Sequence, residues 1–146
     1  MCFIQTKESK LLIAKRDIKV YKIGKYANTD KFISLSRGFI YRTNSIEQVD
    51  VDFEKLSISQ GLHSLINLNI ESCNWGAIVR DTTHNPYMAV LCSDILTIGE
   101  FIIPKDSKYM LNRIGEVISN NLMYTGRYLN FRPISDLKIK EIWKEK

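Results

Sequence analysis

The chain has 146 residues, of which 45% are hydrophobic and 25% charged, and its formal net charge is +5. That length suits one domain that buries about two-thirds of the surface its unfolded form exposes, and the composition excludes a disordered chain. Its apolar runs fall far short of the roughly 20 residues of a membrane span, and Lys7 and Glu8 arrive before any signal-peptide core, so a single globular domain over residues 1–146 in the cytoplasm is expected.

Along the chain, strands are predicted more often than helices. Asp17 to Ile23 alternates polar and apolar residues as a half-buried strand, with Ile18, Val20 and Lys22 on one face, before a turn at Gly24. Lys25 to Lys31 reads as a loop, and Phe32–Leu35 and Gly38–Arg42 as short strands. Val49 to Phe53 alternates again, which sets Asp50 and Asp52 on one solvated face. From Ile58 a strand is predicted to lead into a short helix within the asparagine-rich middle. Asp81 to Pro86 has loop composition, while Tyr87–Cys92 and Glu100–Pro104 read as strands. After the turn at Lys105 to Ser107, the segments Lys108–Leu111, Glu116–Ser119 and Leu122–Tyr124 extend an antiparallel meander. Ser135 can cap a closing helix that carries Ile139, Ile142 and Trp143. The expected class is therefore α+β: a mainly antiparallel, strongly twisted sheet with one or two short helices.

Charge is distributed unevenly. Residues 1–42 carry ten Lys/Arg against three Asp/Glu, residues 43–100 two against eight, and residues 101–146 nine against five. Two basic ends brought together would attract phosphate, whereas the acidic middle would repel a long nucleic-acid backbone. No base-reading motif is present, so specific nucleic-acid binding is not expected. Cys2, Cys73 and Cys92 are odd in number and widely spaced, as befits reduced thiols rather than a metal or disulfide framework.

Catalytic signatures such as Gly-x-Ser-x-Gly, a phosphate-binding Gly-Lys-Ser loop or Gly-x-Gly-x-x-Gly are missing, so no catalytic residue, metal or cofactor is assigned. Binding groups remain. Lys22 and Arg37, the latter between Ser36 and Gly38, can form charge-assisted bonds to phosphate. His63 and Ser64 follow the permissive Gly61 and add an imidazole and a hydroxyl.

Asp17-Ile18-Lys19-Val20-Tyr21-Lys22, Gly61-Leu62-His63-Ser64, the block from Phe101 to Tyr109, and Ile118-Ser119-Asn120 resemble the ordered blocks of small uncharacterised proteins encoded by bacteriophages and prophages. That resemblance implies a phage accessory role in the host cytoplasm. Glu100 to Tyr109 also resembles the Glu-led strand of ADP-ribosyltransferase-like folds, with Lys22 where many such enzymes carry arginine or histidine. It implies an ADP-ribosyltransferase-like variant of the α+β fold, and it adds Glu100 to the candidate site. The expected function is a non-catalytic binder of a small anionic or nucleotide-like host molecule, with a possible counter-defence role, through Lys22, Arg37, His63, Ser64 and Glu100. An NAD-using transferase and a binder of a host protein are the alternatives.

Overall fold

The computed structural model describes residues 3–34, 39–67, 96–113 and 115–131. They form β1 (Phe3–Ile4), β2 (Leu12–Ile13), β3 (Ile18–Ala27), β4 (Lys31–Ser34), β5 (Ile40–Arg42), β6 (Ile46–Gln48), β7 (Ser57–Ile58), β8 (Leu62–Leu65), β9 (Leu96–Ile103), β10 (Lys108–Leu111), β11 (Glu116–Ser119) and β12 (Asn121–Phe131). Every strand pair is antiparallel, and no helix occurs among the described residues. The α+β expectation, in its plain or ADP-ribosyltransferase-like form, is thus corrected to an all-β architecture over these residues. The physical reason is that their apolar positions recur every second residue and tight turns return each strand, which leaves no run of helical period. Both predicted helices, in the asparagine-rich middle and after Ser135, lie outside the described residues, as do the predicted strand Tyr87–Cys92 and all three cysteines.

One ten-stranded sheet has the order β2-β10-β11-β8-β3-β9-β12-β6, with β4 joined to β3 and β5 joined to β4. The long strand β3 has β9 along one edge and both β8 and β4 along the other. Where β5 ends, Thr43 bridges Tyr124 of β12, and the Asn44 amide donates to the Tyr124 carbonyl at 2.9 Å. The circuit β3-β4-β5-β12-β9 therefore closes on itself, which protects edges that an open sheet would expose.

Inside this circuit lie Val20, Phe32, Tyr41, Phe101, Leu122 and Tyr124, all buried. Phe101 meets Phe32 at 5.1 Å and Tyr41 at 5.0 Å, edge to face in both cases, and Tyr124 tilts against Phe101 at 5.3 Å. Such pairs add about 0.5–1.5 kcal/mol each beyond the burial of their area. The Phe32 ring needs room on the sheet. A Cβ built on Gly24 would stand 2.5 Å from it, and one on Gly99 2.7 Å, so the two glycines form a notch for the ring. Gly24 thus serves as a packing glycine inside β3, paired with Thr97 and Ser34, and not as a turn residue. The turn comes at Asn28, whose Oδ1 accepts the amides of Asp30 at 2.8 Å and Lys31 at 2.9 Å.

On the opposite face of the sheet, Phe3, Ile58, Met110 and Ile118 form a second cluster, with Val51 and Phe53 against it. The two-stranded β1–β7 sheet packs there. Val51 and Phe53 thus belong to a packed irregular segment, and the strand expected over Val49–Phe53 is replaced by the shorter β6 just before it. After Val49, whose amide donates to the Asn120 carbonyl at 2.9 Å, the chain turns at Asp52, which accepts the Glu54 amide at 3.1 Å.

Tyr124 links this core to pH. Its hydroxyl donates to the Asn28 carbonyl at 2.8 Å, and burial, followed by the neighbouring Tyr128, raises its pKa well above the ordinary value of 10.0. The unfolded chain therefore releases this proton first as pH rises. The stabilisation is complete below about pH 10 and is lost as pH climbs toward the folded-state value. Denaturant titrations at about pH 9 and about pH 11 should show the wild type losing more stability over that interval than Tyr124→Phe. Equal losses in the two proteins would contradict the assignment.

Candidate functional site

Antiparallel register decides which candidate residues meet, because residues directly opposite one another share a face. Lys22 pairs with Gly99, and Glu100 pairs with Tyr21. Lys22 and Glu100 are therefore on opposite faces of the sheet. One step from the Tyr21–Leu65 pair, the same register carries Lys22 toward Ser64. Ser64 pairs with Val117, which belongs to the same core cluster as Val20 and Phe101, so Ser64 and Lys22 share the inner face.

Lys22 is buried, 8% exposed, and its Nζ donates to the His63 carbonyl at 3.0 Å. The same ammonium lies 5.8 Å from the centre of the Tyr41 ring, at the outer range of a cation–π contact. An ammonium has three N–H donors, and no carboxylate pairs with Lys22 among the described residues. Ser64 is 5% exposed, and its Oγ has no hydrogen-bond partner among the described residues. The inner face thus holds a buried cation with one neutral acceptor beside a buried hydroxyl with none.

His63 contributes to this arrangement through its backbone. Its side chain belongs to the other face, where His63 pairs with Ile118, and its Nε2 lies 3.3 Å from the Ser59 carbonyl, a contact in which only the ring nitrogen can donate. Arg37 lies outside the described residues. Lys22 and Ser64 are therefore the predicted side chains on the inner face, where His63 adds a carbonyl rather than an imidazole, while the His63 and Glu100 side chains lie on the opposite face.

Glu100 forms a separate constellation. It is buried, with Lys19 Nζ 3.3 Å from Oε1 and Arg127 Nη1 3.2 Å from Oε2. A bulge makes this possible. Between the pairs Tyr124–Phe101 and Tyr128–Gly99, three residues of β12 (Thr125, Gly126, Arg127) face the single Glu100. Gly126 takes a positive φ of 88° in the bulge, and the Thr125 hydroxyl donates to the Glu100 carbonyl at 3.1 Å. Sequence reasoning missed Lys19, Tyr41 and Arg127; a glycine within the long β-like run at Thr125-Gly126-Arg127 was the readable sign of a bulge.

Among the described residues no group of three His, Cys, Asp or Glu side chains could hold a metal ion, and no helix is long and apolar enough to cross a membrane. No protein family, curated protein or solved structure matches the chain.

Proposed function

We propose that this chain is a non-catalytic binding protein that captures a small phosphate-bearing molecule, with Lys22 Nζ and Ser64 Oγ as the anchoring donors. The observation that carries this reading is the buried Lys22 ammonium, whose acceptor among the described residues is the neutral His63 carbonyl. An uncompensated buried charge is costly, several kcal/mol even after relaxation. An anion drawn to the ammonium offsets that cost, and the unspent Ser64 hydroxyl supplies a second donor. The resemblance to phage-encoded proteins suggests an accessory role in an infected cell, with a host nucleotide as the captured species. Against a transferase role, both Glu100 carboxylate oxygens are engaged by Lys19 and Arg127 on the face away from Lys22.

Thermal unfolding with inorganic phosphate, adenosine diphosphate and NAD tests the proposal. A bound anion at a hundred times its Kd should stabilise the wild type by about 2.7 kcal/mol, and Lys22→Met should abolish that response. Without ligand, Lys22→Met should be at least as stable as wild type, since an apolar chain of similar volume replaces a buried charge. If no anion stabilises the wild type, or if Lys22→Met responds equally, the reading fails. Release of nicotinamide from NAD that Glu100→Gln abolishes would put the transferase in its place.

A further inference from the structure

The strand β2 ends the sheet, and its outer edge is unpaired among the described residues. Leu11 is 50% exposed and Ile13 60%, an apolar strip on a strand edge. Ala14 sends its amide inward to the Ser107 carbonyl at 2.9 Å. Backbone groups alternate in direction along a strand, so the amide and carbonyl of Ile13 point away from β10, toward the open edge. An edge with free donors and acceptors is a template for an added strand.

Charge selects what could add. Lys10, Lys15, Arg16, Lys105, Lys108 and Arg113 are all exposed on the flanks of β2 and on the neighbouring β10 segment. The carboxylates of these stretches are Glu8, Asp17 and Asp106, and Asp17 Oδ1 already accepts the Lys105 amide at 2.9 Å. A ring of bases around an apolar edge repels basic strands and copies of itself, which is how natural edges avoid aggregation. Toward an acidic strand the same ring is attractive.

We propose that β2 is a docking edge for an extended acidic segment of a partner protein, one that alternates carboxylate and apolar residues and adds to the sheet as a further strand. Main-chain bonds from Ile13 hold it, apolar residues cover Leu11 and Ile13, and its carboxylates meet Lys15 and Arg16. This surface is independent of Lys22 and Ser64, so either proposal can fail alone.

Fluorescence anisotropy with a labelled peptide of about eight residues alternating glutamate and valine provides the test. Saturable binding is expected, weakening as salt is raised. Ile13→Pro removes only an outward amide, a change edge strands tolerate, and should weaken binding about tenfold or more. The exposed pair Lys15→Glu/Arg16→Glu should do the same, and it keeps the test decisive should Ile13→Pro unfold, as circular dichroism would reveal. A peptide with a central proline should bind far more weakly. The inference is overturned by absence of binding, or by equal affinity for the proline peptide, which would reveal attraction of charge without strand addition. Sedimentation showing self-association that Lys15→Glu/Arg16→Glu abolishes would assign the edge to a second copy, and that result also overturns it.

Discussion

Replacing Phe101 by alanine is expected to cost about 3–5 kcal/mol of folding stability, the range for deleting a fully buried aromatic side chain. Phe101 is 0% exposed, and its ring touches Phe32, Tyr41 and Tyr124 at once. These three come from β4, β5 and β12, and Phe101 itself from β9, so one deletion loosens four of the five strands in the closed circuit. The void has little chance to collapse, because Phe32 is already seated against Gly24 and Gly99. Phe101→Leu keeps much of the volume and should lose markedly less. Guanidinium unfolding of both variants, read as midpoint and slope, measures the difference. A loss below about 1 kcal/mol for the alanine variant would mean that the circuit does not close around this ring.

The second large effect is expected at the bulge. Arg127→Met removes one of the two cations on Glu100 and should cost about 1–3 kcal/mol. The asymmetry of exposure sets that figure: the Glu100 side chain is 8% exposed, against 35% for Arg127 and 54% for Lys19. Solvent screens the two cations and holds the value below that of a fully buried pair. The carboxylate cannot recover its lost partner from water, and Lys19 already serves its other oxygen. Glu100→Gln removes the charge that Arg127 balances, so the double variant Glu100→Gln/Arg127→Met should lose less than the two single losses combined. Chemical denaturation of the four proteins closes the cycle. Additive losses would show that Arg127 stabilises the bulge without acting through Glu100.

What could be read in advance was local. The strand around Val20 follows from period-two alternation, and those around Phe32, Met110 and Val117 from short apolar runs bounded by turn residues, and all were legible. The misjudged stretches depend on distant partners. Gly24 carries a turn signal in sequence, yet it sits inside a strand paired on both edges and is there to leave room for an aromatic ring eight positions later. Val51 and Phe53 have strand spacing but pack against Phe3 and Ile58, and among the described residues no strand pairs with them. The helices of the α+β expectation fell on segments outside the described residues, and the described remainder holds strands, turns and irregular segments with no helix. At the candidate site, a lysine interrupting the apolar stripe Ile18–Val20–Lys22 was the visible sign. Its company was not, since the offset of β3 against β8 and β9 decides that Ser64 shares its face and Glu100 does not. One residue of slippage would have exchanged them.

The notch beneath Phe32 also constrains how this sequence can drift over generations. Gly24, Gly99 and Phe32 lie in three different strands yet occupy one shared volume. Neither glycine can gain a side chain while residue 32 keeps its ring. A smaller residue at 32 relieves only part of the crowding, because a Cβ at 24 would also clash with the Ile33 carbonyl oxygen and one at 99 would stand 2.9 Å from the Phe101 ring, and the void left at 32 would destabilise every intermediate. The three positions are thus tied by history as much as by contact, and distant kin of this chain that keep an aromatic ring at 32 should keep both glycines.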